Sequence, residues 1–92
     1  MRSMKVFEKK LWPSERARHW IIVPTADREN FPPNKEPFEI KVGSETVKVR
    51  IDSNNRILGL GWSVFDKLGL GNPGAIVVID KTSQEGYILQ KK

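Results

Sequence analysis

The sequence predicts a single, mainly β domain of about seven strands and two short helices, rolled into a barrel. Two stretches, Phe38–Val42 and Val47–Ile51, alternate apolar and polar residues with the period of a half-buried strand. Turn-forming residues recur at short intervals along the chain, and helical periodicity is confined to brief segments.

In chain order, Met4–Lys9 alternates imperfectly and reads as a short first strand. Leu11–Arg18 breaks the pattern. Pro13 cannot donate to a sheet ladder, and "WPSERAR" mixes a large aromatic with charge, so the stretch reads as an exposed loop. His19–Val23 resumes as a strand ending at Pro24. Thr25 is placed to cap a brief helix through Asn30, with Asp27 and Glu29 near its positive end, before Phe31-Pro32-Pro33 stops it. In the next strand Phe38, Ile40 and Val42 share one face, opposite Glu39 and Lys41. Gly43-Ser44 is a two-residue turn signal with glycine first, and Val47, Val49 and Ile51 complete an antiparallel hairpin. "DSNNR" reverses the chain into Ile57–Leu60, with Asn54 and Asn55 suited to left-handed turn geometry. Trp62, Phe65 and Leu68 recur at helical spacing, and Gly69 or Gly71 can end that helix, which is placed to plug an open barrel end. Ala75–Asp80 and Tyr87–Gln90 form the last two strands, joined through "KTSQEG".

Ninety-two residues suffice for one domain with one modest core, residues 1–92, and 38% hydrophobic against 29% charged is the balance of a folded chain, not a disordered one. Cysteine is absent and His19 is the only histidine, so disulfides and thiolate metal sites are excluded and no metal or other cofactor is expected. Apolar runs are too short to span a bilayer and the first residues lack a signal-peptide apolar region, so no membrane association and an intracellular setting are expected. No nucleophile–base pairing, phosphate loop or carboxylate pair in a recognisable setting is present, and the chain reads as a non-enzyme. The net charge of +5 favours an anionic partner. Residues 1–35 carry eight Lys/Arg against four Asp/Glu and residues 36–92 eight against seven, so the surplus lies in the first third.

Five segments occur in an order that carries a resemblance: "VFEKKLWPS" at Val6–Ser14, "IIVP" at Ile21–Pro24, "FPP" at Phe31–Pro33, "ILGLGWSVF" at Ile57–Phe65, and the following "LGLGNPGAIVVI". Together they span nearly the whole chain. In these segments the sequence resembles the plant B-three DNA-binding domain, an open pseudobarrel similar to the recognition domains of some bacterial restriction endonucleases. The resemblance implies a seven-stranded open pseudobarrel that binds double-stranded DNA, as a transcription-regulator or restriction-system module. It places the protein in the nucleus if it comes from a plant and in the cytoplasm if from a prokaryote. Two positions depart from the family pattern: Ala75 stands where an Asp is usual, and "DSNNR" is shorter than the usual arm. Residues 49–79 are also similar to the swapped-hairpin transition-state regulators, dimeric proteins whose core is much shorter. The long segment upstream favours the pseudobarrel, expected to be monomeric as an isolated domain.

Reading duplex DNA takes cations to offset phosphate charge and forked donors or amides to read base edges. The first arm, Lys9–His19, offers Lys9, Lys10, Trp12, Ser14, Arg16, Arg18 and His19. The second, Lys48–Arg56, offers Lys48, Arg50, Ser53, Asn54, Asn55 and Arg56. Each has a plainer alternative: a solvated charged loop for the first arm, and backbone turn geometry for Asn54 and Asn55. The resembling family sets both arms on one side of the barrel, straddling the major groove. Arg56 and Arg18 are the expected base readers and Lys10 a phosphate contact. Trp12 is either packed beneath its arm or exposed to a sugar or base, as binding of single strands would require. Trp20 and Trp62 read as core, so truncating Trp62 is expected to unfold the domain. The competing function is a protein-interaction barrel whose basic loops take an acidic partner.

Overall fold

Strand β1, Ser3–Lys10, pairs antiparallel with β6, Ile76–Thr82, and its imperfect alternation has a physical cause. Lys5 lies opposite Asp80 and Phe7 opposite Ile79, so Val6 is an extra residue, a bulge that resets which side chains face inward. Beyond it Phe7 and Leu11 enter the core, and Lys9, of the same parity, turns inward with them. The computed structural model describes residues 3–83 and 86–92; Gln84 and Glu85 of the expected "KTSQEG" connection lie outside the described residues.

The expected exposed loop after β1 is instead helix α1, Pro13–Arg18. Pro13 occupies the first helical position, where its missing N–H costs nothing, and Glu15 accepts a hydrogen bond from the Trp12 N–H at 2.7 Å. His19, left-handed at φ 61°, ends the helix. The strand expected over His19–Val23 shortens to β2, Ile21–Ile22, because His19 belongs to the helix end and Pro24 halts the ladder. Thr25–Asn30 is a single 3-10 helix; Pro24, not Thr25, precedes it as the cap, and no side chain caps it. The Tyr87 hydroxyl donates to the Asn30 carbonyl at 2.6 Å, and the Tyr87 ring stacks on Phe31.

Strands β3, Phe38–Val42, and β4, Glu45–Ile51, form the expected hairpin across Gly43-Ser44, with Gly43 at φ +62°. The turn into β5, Arg56–Leu58, uses left-handed geometry at Asn55 alone, at φ 63°. Gly59 then bends the chain at φ +105°, where a Cβ would stand 2.8 Å from the Lys48 carbonyl oxygen, so only glycine fits without a shift. Helix α2, Gly61–Leu68, ends at Gly69, and β6 and β7, Gly86–Lys91, close the chain.

The seven strands form one mixed sheet in the order β1-β6-β7-β3-β4-β5-β2, with β3 and β7 the parallel pair, curled into a half-barrel. Alternate residues of every strand fill its interior, among them Ile40, Ile51, Ile57, Val77, Ile79 and Leu89. The expected core roles of two tryptophans are not met. Trp62 is 67% exposed, because Leu60, Val64, Phe65 and Leu68 define the inward face of α2 and residue 62 falls outside it. Trp20 is half-buried, beneath the side chain of Arg56.

Trp62→Ala is therefore expected to change stability by no more than about 0.5 kcal/mol. Phe65→Ala should cost about 3–5 kcal/mol. Urea denaturation of the two variants checks the assignment, and a large loss from Trp62→Ala would contradict it.

Candidate nucleic-acid interface

An inward-turned ammonium at Lys9 needs an anion, and the chain supplies one six residues later. Glu15 is fully buried, and its Oε2 accepts from Lys9 Nζ at 2.8 Å and from the Ile22 N–H at 2.7 Å, while Oε1 holds the Trp12 N–H. Lys9 Nζ also donates to the Ile22 carbonyl at 3.1 Å. β1 and β2 are the two edges of the sheet, so this polar cluster bridges the half-barrel's open side with side chains. Lys9 is thus an anchor of the first arm. Its ammonium also lies 4.4 Å from the centre of the Trp12 ring, steadying an indole that is 57% exposed.

Lys10, Ser14 and Arg18 are exposed, and Arg16 is partly buried. Lys10, Arg16 and Arg18 have no ion pair among the described residues, and Arg16 Nε is buried without a hydrogen-bond partner. Among the described residues no hydrogen bond or ion pair holds that guanidinium in place. Lys10, Trp12 and Arg16 line one cleft with Leu11, Pro13, Pro73 and Gly74. His19 instead packs edge-on against Phe65, with ring centres 5.4 Å apart, and so joins the first arm to α2.

In the second arm, the parity that buries Val49 and Ile51 turns Lys48 and Arg50 outward, both exposed and without an ion pair among the described residues. Arg56 is engaged within the protein. Its Nε donates to Asp52 Oδ2 at 2.7 Å, and its guanidinium carbon lies 4.4 Å from the centre of the Trp20 ring. Asp52 Oδ1 accepts from the N–H groups of Asn54 and Arg56, which fixes the turn. Burial alone would push the Asp52 carboxyl up; the hydrogen bonds from Arg56 and Asn54 outweigh it and hold the group below the ordinary carboxylate value. Ser53 and Asn54 are exposed at the tip, whereas Asn55 is partly buried and its carbonyl accepts from the Val23 N–H. The arms meet where β5 pairs with β2: Ile22 lies opposite Arg56, and Trp20, at the end of the first arm, lies under it.

Sequence reasoning missed Glu15, Asp52 and Trp20, which position the arms, and Pro73 and Gly74, which wall the cleft. The signals were present for two of them: a Pro-Ser-Glu helix start, and an Asp two residues before an asparagine in a turn. Compared with known proteins, the chain matches no family model and no curated protein.

Two outcomes follow. Glu15→Ala leaves a largely buried ammonium without its counter-charge and two N–H groups unpaired, and should cost about 3–5 kcal/mol in urea denaturation; a loss near that of a surface substitution would mean that the bridge does not hold the two edges. Because the folded-state acidity of Asp52 is raised, its contribution to stability is present at neutral pH and lost as pH falls through its lowered folded value, below roughly pH 4. The stability difference between the native protein and Asp52→Asn should accordingly be constant above that range and shrink on acidification.

Proposed function

We propose that this chain binds double-stranded DNA sequence-specifically through its two basic arms, as the recognition module of a transcription regulator or a restriction system. The observation that carries the reading is how its cations are paired. Away from the arms, Lys5 and Lys92 share Glu8, Lys67 reaches Glu45, Arg28 bonds the Pro32 carbonyl and Asn34, and Lys81 lies over Tyr87, while Lys35 and Lys91 have no ion pair among the described residues. On the arms, Lys10, Arg16, Arg18, Lys48 and Arg50 have no acidic partner among the described residues, while Lys9 and Arg56 hold the backbone that presents them. Unpaired cations on braced segments are what phosphate neutralisation needs, because neither an internal partner nor the ordering of a loose loop must be given up on binding. Arg18, Arg50 and the exposed amide of Asn54 supply the donors for base edges, and Lys10 and Lys48 the point charges for phosphates.

Amide shifts followed during titration with random duplex at low salt should be confined to residues 9–19 and 48–56; no shift in either arm overturns the reading. Lys10→Ala and Lys48→Ala should each lower the slope of log affinity against log salt by about 0.9. On a selected site, Arg18→Ala should cost about 1–3 kcal/mol and relax base choice, whereas Lys10→Ala should weaken all sequences alike. Equal, salt-only losses would leave phosphate binding without readout.

A further inference from the structure

The cleft beside α1 combines features that the binding of an undistorted duplex does not use. It measures about 500 Å³, within the roughly 300–1,000 Å³ of small-molecule sites, and is walled by Lys10, Trp12 and Arg16 on one side and by Pro73 and Gly74 on the other. The Leu11 N–H donates to the Ala75 carbonyl at 2.9 Å, which joins the two walls beyond the paired ends of β1 and β6, and the Ala75 N–H donates to the Asn72 carbonyl, which closes the turn that carries Pro73 and Gly74. Gly74 has open space where a Cβ would stand. Trp12 keeps more than half its surface exposed although apolar burial would favour tucking it away. The Lys9 ammonium lies over the ring and is itself locked by Glu15, so the indole is steadied while 57% of the residue stays exposed. Lys10 and Arg16 beside it have no anionic partner among the described residues, and Arg16 is not held by any hydrogen bond through Nε.

A fixed aromatic platform flanked by two unpaired cations fits a ligand that carries a planar ring next to a negative charge. In DNA that ligand is one nucleotide, with its base on Trp12 and its phosphate between Lys10 and Arg16. Bases inside an intact duplex are stacked on their neighbours and cannot offer a face, whereas an unpaired nucleotide can. We infer that this cleft receives a single unpaired nucleotide, so that the protein favours duplex DNA bearing an extrahelical base over perfect duplex. The inference rests on the duplex-binding reading above and names what the first arm takes from the duplex.

Three labelled duplexes of one sequence separate the possibilities by fluorescence anisotropy: perfectly paired, with one bulged nucleotide, and with the same bulge lacking its base. The bulged duplex should bind about tenfold more tightly than either of the others, the size of one base–aromatic stack. Trp12→Ala should bring the ratio of bulged to baseless affinity to about one, and Trp12→Phe should retain most of it. Trp62→Ala, which alters an exposed tryptophan away from the cleft, should leave the ratio as it was. Equal affinity for bulged and baseless duplexes overturns the inference, as does a ratio that survives Trp12→Ala. If that happens while paired duplex still binds, the arms remain a duplex-binding surface; if no duplex binds at low salt, both readings fall. Should Trp12→Ala not fold, the baseless duplex with the native protein and the Trp12→Phe variant still decide the matter.

Discussion

A curled sheet that does not close has two edges, and the N–H and C=O groups of an edge must find partners or remain in water. In this protein β2 is only two residues long, and its outward-pointing Ile22 N–H and C=O are taken by Glu15 and Lys9. A carboxylate and an ammonium thus stand where another strand would. Burying both charges is costly, and the arrangement is tolerable because Glu15 accepts three hydrogen bonds and Lys9 is neutralised at contact distance. The same carboxylate holds the N-terminal turn of α1. Sheet edge, helix start and arm conformation therefore depend on one side chain.

That dependence sorts the cations of the arms by role. Lys9 and Arg56 are each held between a carboxylate and an indole, Lys9 by Glu15 and Trp12 and Arg56 by Asp52 and Trp20. Both are braces. The cations without an acidic partner among the described residues stand on either side of them: Lys10, Arg16 and Arg18 in one arm, Lys48 and Arg50 in the other. Bracing a charged segment internally reduces the ordering entropy that engaging any ligand would cost.

The three tryptophans show how little residue type says about burial in so small a domain. Trp12 follows Leu11, Trp20 precedes Ile21 and Trp62 lies at helical spacing from Phe65, yet Trp12 and Trp62 are exposed and Trp20 is only partly covered. The core is built from Ile, Val, Leu and Phe, with Tyr87 at its margin, where its hydroxyl reaches the Asn30 carbonyl. Trp12 and Trp20 each meet a cation, and Trp12 also lines the cleft beside α1.

Local pattern determined much of the architecture. Period-two alternation set the faces of β3 and β4, Gly43 and the asparagine turn set the hairpins, and charge counting placed the basic surplus in the first third of the chain. These are short-range properties, decided by neighbours one to four residues away. The α1 helix was also written locally, in Pro13 and Glu15, but its charged composition concealed it. What only the tertiary structure decided was which charges are used up. The bulge at Val6 turned Lys9 inward, the approach of β1 to β2 gave it Glu15 and Ile22, and the β2–β5 pairing laid Arg56 on Trp20. Whether a cation is a brace or a free contact depends on acids and rings brought close by chain reversal, and a one-residue shift of register changes the answer without altering composition.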